Sequence, residues 1–310
     1  MSPMKFRKTA AATFAVLALT ATAACGGKEG TPSSNAKPSN SSGETPELPT
    51  YKVASGVDLK GSDTFDRIKK NGKVTIGVKN DQPYLGFEDP NTGERSGFDI
   101  EIAKMIAADL GLSADKITYK TIDSKNRETA ISQGQVDYYV GTYTINDERK
   151  KKISFAGPYY IAGQSLLVRK DDDSIKSEED LKGKKVCSIS GSTPLMNIQK
   201  GNYGAEVVAL DKYTDCVKQL TDGQVDAVTT DDAILKGYAA QQPKVLKVVG
   251  EPFSDEPYGV GLPKNDKVFQ EALLDALQNH MDNGDWKKAY DATLGLSGSP
   301  ADEPPALERN

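Results

Sequence analysis

Over residues 57–296 the apolar positions alternate between short runs that are typical of strands and spacings that are typical of helices, and these patterns predict the elements of the fold. Residues 73–78 form a short apolar run that is typical of a buried strand. A helical spacing follows, which Gly111 ends, and its apolar face contains Phe98, Ile102, Met105, Ile106 and Leu110. Strands and helices then continue to alternate as far as Gly134. This alternation predicts an α/β fold.

The tetrapeptide Gly-Gln-Val-Asp occurs at residues 134–137 and again at 223–226, and each copy closes a helical pattern and opens a strand-like one. The second half also restarts the order of the first, with a predicted strand at 184–189 and a predicted helix at 214–220. A chance match is the alternative, because a helix that ends in glycine before a strand is common. We expect two related lobes, with a ligand crevice at the carboxyl ends of their strands.

The same pattern divides the folded part of the chain. It predicts that residues 57–158 form the first part of lobe 1, that 159–255 form lobe 2, and that 256–296 return to lobe 1. The two crossings predict a hinge near 157–160 and 251–258. Residues 297–310 are rich in Ser, Pro, Ala and Glu, so we predict a disordered tail there.

The amino terminus is typical of an exported protein. Lys5, Arg7 and Lys8 precede an uncharged stretch rich in Ala, Leu and Thr, so residues 1–24 are predicted to be a signal peptide, too short to span a bilayer. Cys25 follows, and residues 25–56 have the polar composition of a flexible tether.

This arrangement resembles a bacterial lipoprotein signal, in which Cys25 would carry the lipid, including palmitate, that anchors the chain to the extracytoplasmic face of the cell membrane. The lipoprotein pattern favours Leu three residues before the cysteine, whereas Thr22 stands there and Leu19 lies further back. Ordinary signal cleavage after Ala23 or Ala24 is therefore the alternative.

Two further cysteines, Cys187 and Cys216, follow the tether. Export would place them where disulfides persist, so we predict that they are bonded and stabilise the fold by roughly 3 to 4 kcal/mol in the chain-entropy model. Two buried free thiols are the alternative. Neither cysteine has the Cys/His company of a metal site, so we predict no metal and no other cofactor.

Charge and histidine content narrow the function classes. The formal charge is −5, and loss of residues 1–24 removes three positive charges, which makes it −8. We therefore expect no nucleic-acid partner. A histidine-dependent triad or a multi-histidine metal centre would have to be built on the single histidine, His280, which lies in an amphipathic pattern beside Met281. We predict that the protein is not an enzyme.

Residues 137–160 contain a dense series of motifs. Val-Asp is followed by Thr142-x-Thr144, then by Glu148-Arg149, and then by Phe-x-x-Pro-Tyr at 155–159. Other matches are Gly97-Phe98-Asp99, residues 180–186, residues 190–193 and Gly284-Asp285-Trp286, which extend the series over residues 73–295. In this order, the set resembles the polar amino-acid branch of the substrate-binding proteins of ABC importers, bacterial solute-binding protein family 3.

The resemblance implies a periplasmic-binding-protein fold of type II, the Venus flytrap, in which two lobes are joined by a hinge and a ligand binds in the cleft between them. It also implies a monomer that needs no cofactor. The implied partners are an amino acid, a membrane permease and a cytoplasmic ATPase.

In the resemblance, Arg149 occupies the position of the family's arginine that binds the ligand α-carboxylate. The role suits arginine because its planar guanidinium binds a carboxylate bidentately. Thr142 and Thr144 match the neighbouring donors, and Ser192 and Thr193 would meet the carboxylate from the second lobe. The alternatives are a solvated charge for Arg149 and ordinary loop capping for Ser192 and Thr193.

Asp231 ends the second repeated strand and matches the family's acceptor for the α-ammonium group, with Asp232 beside it as the alternative. Lys79 and Arg127 match basic residues of glutamate and aspartate binders, and two cations would keep a buried γ-carboxylate ionised. For both cations the alternative is a surface base. Tyr84 matches an aromatic wall over the ligand or packs in the core. The resemblance thus implies L-glutamate as ligand, with aspartate second.

Three other functions stay open at this point. Glutamine is nearly isosteric with glutamate and would suit a closely related importer component. An exported enzyme resembling the cyclohexadienyl dehydratases has the same fold and keeps the carboxylate-binding arginine, although such a substrate would not need the ammonium acceptor Asp231. A sensory or adhesive module that binds a ligand without an importer is the third.

Overall fold

The computed structural model describes residues 46–299 and 303–309. The predicted signal peptide, Cys25 and the predicted tether as far as residue 45 lie outside these ranges. In the described part of the chain, no helix has both the length and the apolar character needed to span a membrane.

Strands and helices alternate along the described residues. The strands are β1 (Val74–Val78), β2 (Asp81–Gln82), β3 (Gly86–Glu88), β4 (Arg95–Ser96), β5 (Ile117–Thr121), β6 (Tyr138–Tyr139), β7 (Ser154–Ala162), β8 (Gln164–Arg169), β9 (Lys185–Ile189), β10 (Glu206–Leu210), β11 (Ala227–Asp231), β12 (Leu246–Val249) and β13 (Glu256–Leu262). The α-helices are α1 (Asp63–Asn71), α2 (Phe98–Asp109), α3 (Arg127–Ser132), α4 (Asp147–Lys150), α5 (Thr193–Lys200), α6 (Tyr213–Thr221), α7 (Asp232–Gln241), α8 (Lys267–Asp282) and α9 (Asp285–Ala292).

Two five-stranded sheets organise the fold, and we call the parts built on them the first and the second lobe. The first sheet has the strand order β5, β1, β6, β13, β7, and the second has the order β10, β9, β11, β8, β12. In the first sheet β1 is parallel to β5 and β6, and in the second sheet β9 is parallel to β10 and β11. The remaining pairs, including β13 with β7 and β8 with β12, are antiparallel. The predicted α/β class is confirmed.

The repeated tetrapeptide has the same structural role in both lobes. The backbone N–H of Asp137 donates to the Thr75 carbonyl oxygen over 2.7 Å, and its carboxylate accepts from the Thr75 N–H, also over 2.7 Å. Asp226 makes the same two bonds with the backbone of Lys185, each 2.8 Å long. Each aspartate thus ties the strand that it precedes to the start of the neighbouring parallel strand, so the repetition in sequence is a repetition in structure.

The chain passes from the first sheet to the second at Gly163 and returns between β12 and β13. The first passage lies beyond the predicted boundary at residue 158, because β7 stays paired with β13 as far as Ala162. The two crossings touch: a Cβ added at Gly163 would lie 2.5 Å from the Pro252 Cβ. Only glycine fits at this contact.

Residues 303–309 lie against the first lobe, unlike the disordered tail expected from their composition. The N–H of Glu308 donates to the Gly157 carbonyl oxygen over 2.8 Å, and Leu307 packs against the hydrophobic core. Arg309 pairs with Asp275 at 2.8 Å. One apolar side chain and one backbone hydrogen bond are enough to hold so short a segment in place. The overall composition of the segment therefore did not reveal this contact.

The end of the predicted tether is also ordered against the first lobe. The Tyr51 hydroxyl donates to the Glu101 carboxylate over 2.8 Å, and the N–H of Ala54 donates to the carbonyl oxygen of Ala108 over 2.9 Å. The packed part therefore begins near Tyr51 and not at residue 57.

Cys187 on β9 and Cys216 on α6 form a disulfide, with their Cα atoms 5.5 Å apart. Both residues are buried. The bond fastens α6 to β9, an interior strand of the second sheet that leads to the loop at residues 190–192.

His280 is buried on α8 in a cluster of acidic and aromatic groups. Its Nδ1 lies 2.8 Å from the Asp285 carboxylate and its Nε2 lies 3.5 Å from that of Asp109. Its ring meets the Tyr51 ring edge to face, with 5.4 Å between centroids. Burial lowers the pKa of His280, but hydrogen bonds and charge from Asp109 and Asp285 outweigh it, so the pKa lies above its ordinary value. A packing role for this histidine agrees with these contacts.

We expect the free energy of unfolding to fall as pH rises from about 6 to 8, because the folded protein holds the His280 proton more tightly than the unfolded chain. This contribution is fully present below about pH 6.5, the ordinary histidine value, and is lost as pH rises through the higher folded-state value. Urea unfolding at several pH values measures it. In His280→Asn the slope should be shallower, and an equal slope in both proteins would contradict the assignment.

Candidate functional site

A small cavity of about 10 Å³ lies between the two lobes. Strands β9 and β11 end beside this cavity, and the loop that follows β6 borders it. This position is expected for a crevice at the carboxyl ends of strands. Its lining comprises Ser124, Arg127, Thr142, Thr144, Ser192, Thr193, Pro194, Tyr213, Asp231 and Ile234. This volume holds about one water molecule. The lobes must therefore separate before any larger ligand can enter.

Arg149 extends from the short helix α4 to the contact between the lobes, beside the cavity but outside its lining. Asn146 caps this helix, because its side-chain oxygen accepts from the Arg149 N–H over 2.9 Å. The guanidinium donates to the carbonyl oxygens of Thr144, over 2.6 Å, and of Gly191, over 3.1 Å. Its Nε lies 3.4 Å from the Glu128 carboxylate. Burial, and then the charge of a neighbouring arginine, lowers the pKa of Arg149 to about 10, so it remains cationic at neutral pH.

That neighbouring arginine is Arg127, the first residue of α3. Its Nε donates to the Ser124 carbonyl oxygen over 3.0 Å, and one terminal nitrogen donates to the Thr142 carbonyl oxygen over 3.3 Å. The other donates over 3.1 Å to the Gly191 carbonyl oxygen, the same atom that Arg149 reaches. Two buried guanidinium groups from the first lobe thus converge on one backbone oxygen of the second.

The ring of Tyr143 supports both arginines. The guanidinium carbon of Arg127 lies 4.2 Å from the ring centroid, and that of Arg149 lies 4.9 Å from it. Attraction between a cation and an aromatic face helps to hold the two like charges close together. With a positive region of this kind at the cleft, an anionic group is the favoured ligand group.

Gly191 brings the second lobe into contact with the first. Its φ is +81°, and a Cβ added there would lie 2.6 Å from the Lys125 Cα. Lys125 also pairs across the cleft with Asp211 at 2.7 Å. A side chain at position 191 would therefore keep the lobes further apart and hold its carbonyl oxygen away from the two arginines.

Thr142 occupies the turn after β6 with a φ of 45°. The buried Asp99 carboxylate accepts from the Thr142 N–H over 3.0 Å and from the Tyr159 hydroxyl over 2.7 Å. Burial raises the pKa of Asp99 to about 6, although both hydrogen bonds act to lower it. The Thr142 hydroxyl lies 3.1 Å from the Gln82 side-chain nitrogen. This network fixes the turn that presents Thr142 and Thr144 to the cleft.

Asp231 closes β11 and faces the cavity from the second lobe. One carboxylate oxygen accepts from the Tyr258 hydroxyl over 2.6 Å. The other is buried and has no hydrogen-bond partner among the residues that the structure describes. Burial, and then the nearby Glu256, raises the pKa of Asp231 well above its ordinary value. An incoming cation would stabilise the ionised carboxylate and satisfy the free oxygen. Asp232 instead pairs with Lys236 at 2.6 Å.

Lys79 follows β1 and is buried, so it is not a surface base. Its Nζ lies 3.4 Å from the Ser124 hydroxyl and 4.0 Å from the Asp81 carboxylate. Burial lowers the pKa of Lys79, and Asp81 opposes that change. Lys79 adjoins the cleft through Ser124 but is absent from the cavity lining, and its charge already faces a carboxylate.

Two other expected site residues make mainly structural contacts. Ser192 lines the cavity, but its hydroxyl caps α5: it accepts from the Leu195 N–H over 3.1 Å and donates to the Ile189 carbonyl oxygen over 2.8 Å. Tyr84 is half-buried against the hydrophobic core and does not line the cavity. These contacts agree with the capping and packing alternatives.

Sequence reasoning missed several residues of the cleft. The most prominent is Glu256, whose buried carboxylate accepts from the Thr144 and Thr193 hydroxyls, each over 2.7 Å. Its position at the start of β13, within the predicted hinge segment 251–258, was the available signal. Ser124, Tyr143 and Gly191 were also not predicted as site residues, although Tyr143 is the middle residue of Thr142-x-Thr144 and Gly191 lies in the matched run 190–193. In the described residues no cluster of histidine, cysteine and acidic side chains fits a metal ion.

The chain was compared with known families and proteins. The model of bacterial extracellular solute-binding proteins, family 3, matches residues 74–295. The chain is 40% identical over 248 residues to the glutamate-binding protein GluB of Corynebacterium glutamicum, covering 77% of this chain and 84% of that protein. It is also 40% identical over 229 residues to the glutamine-binding protein GlnH of an ABC transporter of Bacillus subtilis, covering 74% and 83%.

Among solved structures, an ancestral arginine-binding protein bound to glutamine superposes with a TM-score of 0.68 at 39% identity. The match covers 72% of this chain and 98% of that one. The likeness confirms the expected two-lobe binding-protein architecture. The names of these similar proteins span acidic, amide and basic ligands, so ligand identity has to be argued from the cleft itself.

Proposed function

Because this chain belongs to family 3 of the bacterial extracellular solute-binding proteins, we propose that it captures an amino acid between its lobes outside the cytoplasm and delivers it to an ABC importer. We propose L-glutamate as the preferred ligand, L-aspartate as the second and L-glutamine as the main alternative. The observation that carries the glutamate assignment is the pair of buried arginines, Arg127 and Arg149, that meet at the Gly191 carbonyl oxygen.

Two guanidinium groups suit a ligand with two carboxylates. In this proposal Arg149 binds the α-carboxylate and Arg127 binds the side-chain carboxylate, each in place of its bond to Gly191. Asp231 accepts from the α-ammonium group through its free oxygen. A neutral amide would leave the charge of Arg127 without an opposite partner, which is costly in a buried site. Lys79 adds positive potential, reduced by its partner Asp81.

The lobes close the site through contacts that an amino acid can replace. The cavity of about 10 Å³ is far too small for an amino acid, so ligand entry requires movement at the crossings near Gly163 and Pro252. Because Arg127 and Arg149 lie on the first lobe and Asp231 lies on the second, a ligand that binds all three favours the closed state.

We further propose that the exported chain is a monomer held at the membrane through a lipid on Cys25, with the Cys187–Cys216 bond retained in the oxidising compartment. Its partners would be a permease and a cytoplasmic ATPase, which supply the energy of transport. The similar proteins GluB and GlnH are both binding proteins, which supports a binding role rather than catalysis.

Calorimetric titration of the exported chain, purified with Cys25 replaced by serine, tests this proposal. We expect glutamate to bind more tightly than aspartate, and both more tightly than glutamine or arginine. A preference for glutamine or arginine would keep the binding-protein function and contradict the assigned ligand. Failure to bind any amino acid, together with turnover of prephenate, would instead favour the enzyme alternative.

A further inference from the structure

Glu256 joins the two lobes inside the cleft. Its Oε2 lies 2.7 Å from the hydroxyl of Thr144 on the first lobe and 2.7 Å from the hydroxyl of Thr193 on the second. Its Oε1 accepts from the Ser254 hydroxyl over 2.9 Å. With only 1% of its surface exposed, the side chain is held in one place.

These contacts fix the direction of the threonine hydroxyl groups. A carboxylate accepts hydrogen bonds and donates none, and each threonine hydroxyl has a single proton. The two hydroxyl oxygens also lie 3.1 Å from each other, but the carboxylate oxygen at 2.7 Å is closer and charged, so it is the stronger acceptor for each proton and both are directed at Glu256. Thr144 and Thr193 line the cavity, and the lone pairs of their hydroxyl oxygens remain available to a ligand there. They can accept from a ligand, and they cannot at the same time donate to a ligand carboxylate.

We propose that Glu256 is a positioning residue for the ligand ammonium group, because it turns Thr144 and Thr193 into hydrogen-bond acceptors. An ammonium group has three N–H donors. The cavity then offers it three acceptors: the two threonine oxygens and the carboxylate oxygen of Asp231 that has no partner among the described residues. This inference rests on the proposed function, and it moves both threonines from the carboxylate end of the ligand to the ammonium end.

The test compares glutamate with glutarate, which has the same two carboxylates and no amine. Glu256→Gln removes the charge and replaces one acceptor oxygen by a donor nitrogen, so the hydroxyls of Thr144 and Thr193 lose the charged acceptor that they share, Oε2. We expect its affinity for glutamate to fall about tenfold or more and its affinity for glutarate to change by less than about threefold. Displacement calorimetry measures both. Equal losses for the two ligands would show a merely structural role and overturn the inference.

A second comparison asks whether Glu256 acts through the threonines. In a Thr144→Val, Thr193→Val background, Glu256→Gln should cost little further glutamate affinity, whereas additive losses would overturn the inference. Glu271→Gln, at an exposed pair with Arg309, is the matched control and should bind as the parent does. If the parent protein binds no amino acid, the proposed function fails and this inference with it; glutamate binding by the parent keeps the two outcomes separate.

Discussion

Arg149→Ala should severely weaken the binding of every amino acid. Arg149 is the buried cation that we assign to the α-carboxylate, and all α-amino acids share that group. Removing one partner of a buried, hydrogen-bonded charge pair costs roughly 2 to 5 kcal/mol, which corresponds to roughly a 30-fold to several-thousandfold loss of affinity. Titration with glutamate, glutamine and aspartate measures the change, and we expect all three affinities to fall together.

Two variants control this experiment. Lys151→Ala removes a cation two positions along the chain, one that is exposed and pairs with Glu148, so it should leave binding unchanged. Arg149→Lys keeps a charge but loses the planar fork, so it should bind more weakly than the parent and still fold if the alanine variant does not. Retained affinity in a folded Arg149→Ala protein would mean that the α-carboxylate binds elsewhere.

Local sequence was enough to predict the parts of this molecule that repeat or alternate. The strand near residues 74–78 and the apolar face of α2 follow from spacing alone. The repeated tetrapeptide predicts that Asp137 and Asp226 are equivalent, and their matching backbone bonds confirm it. Such features depend on neighbours in sequence or on one adjacent strand, and for that reason a single chain reveals them.

Contacts between distant segments could not be predicted in the same way. Glu256 meets Thr144 across 112 positions of sequence, and Arg127 meets Gly191 across 64. No periodicity links such residues. The fold of the first sheet places Glu256 beside Thr144, and contact between the lobes places Arg127 beside Gly191. Lys79 shows the complementary problem. Its basic character was apparent from sequence, but the carboxylate of Asp81 at 4.0 Å, which offsets its charge, becomes visible only in the folded site.

Arg127→Met should therefore separate glutamate from glutamine more sharply than any change at Lys79. Methionine keeps an unbranched apolar stem beside Tyr143, but it removes the cation that we assign to the side-chain carboxylate. Glutamate should lose roughly 30-fold to several-thousandfold in affinity, whereas glutamine, which carries no charge there, should lose less than about tenfold. Lys79→Met should shift the ratio in the same direction by less, because Asp81 already offsets that charge.

Titration of each variant with both ligands gives the change in their ratio directly, so a general loss of cleft shape cancels. Arg309→Met makes the same substitution at an exposed ion pair on the first lobe and should leave both affinities unchanged. If glutamate and glutamine weaken equally in Arg127→Met, this guanidinium does not bind the γ-carboxylate. Its bonds to the carbonyl oxygens of Thr142 and Gly191 would then be structural, and the ligand preference would have to arise from Lys79.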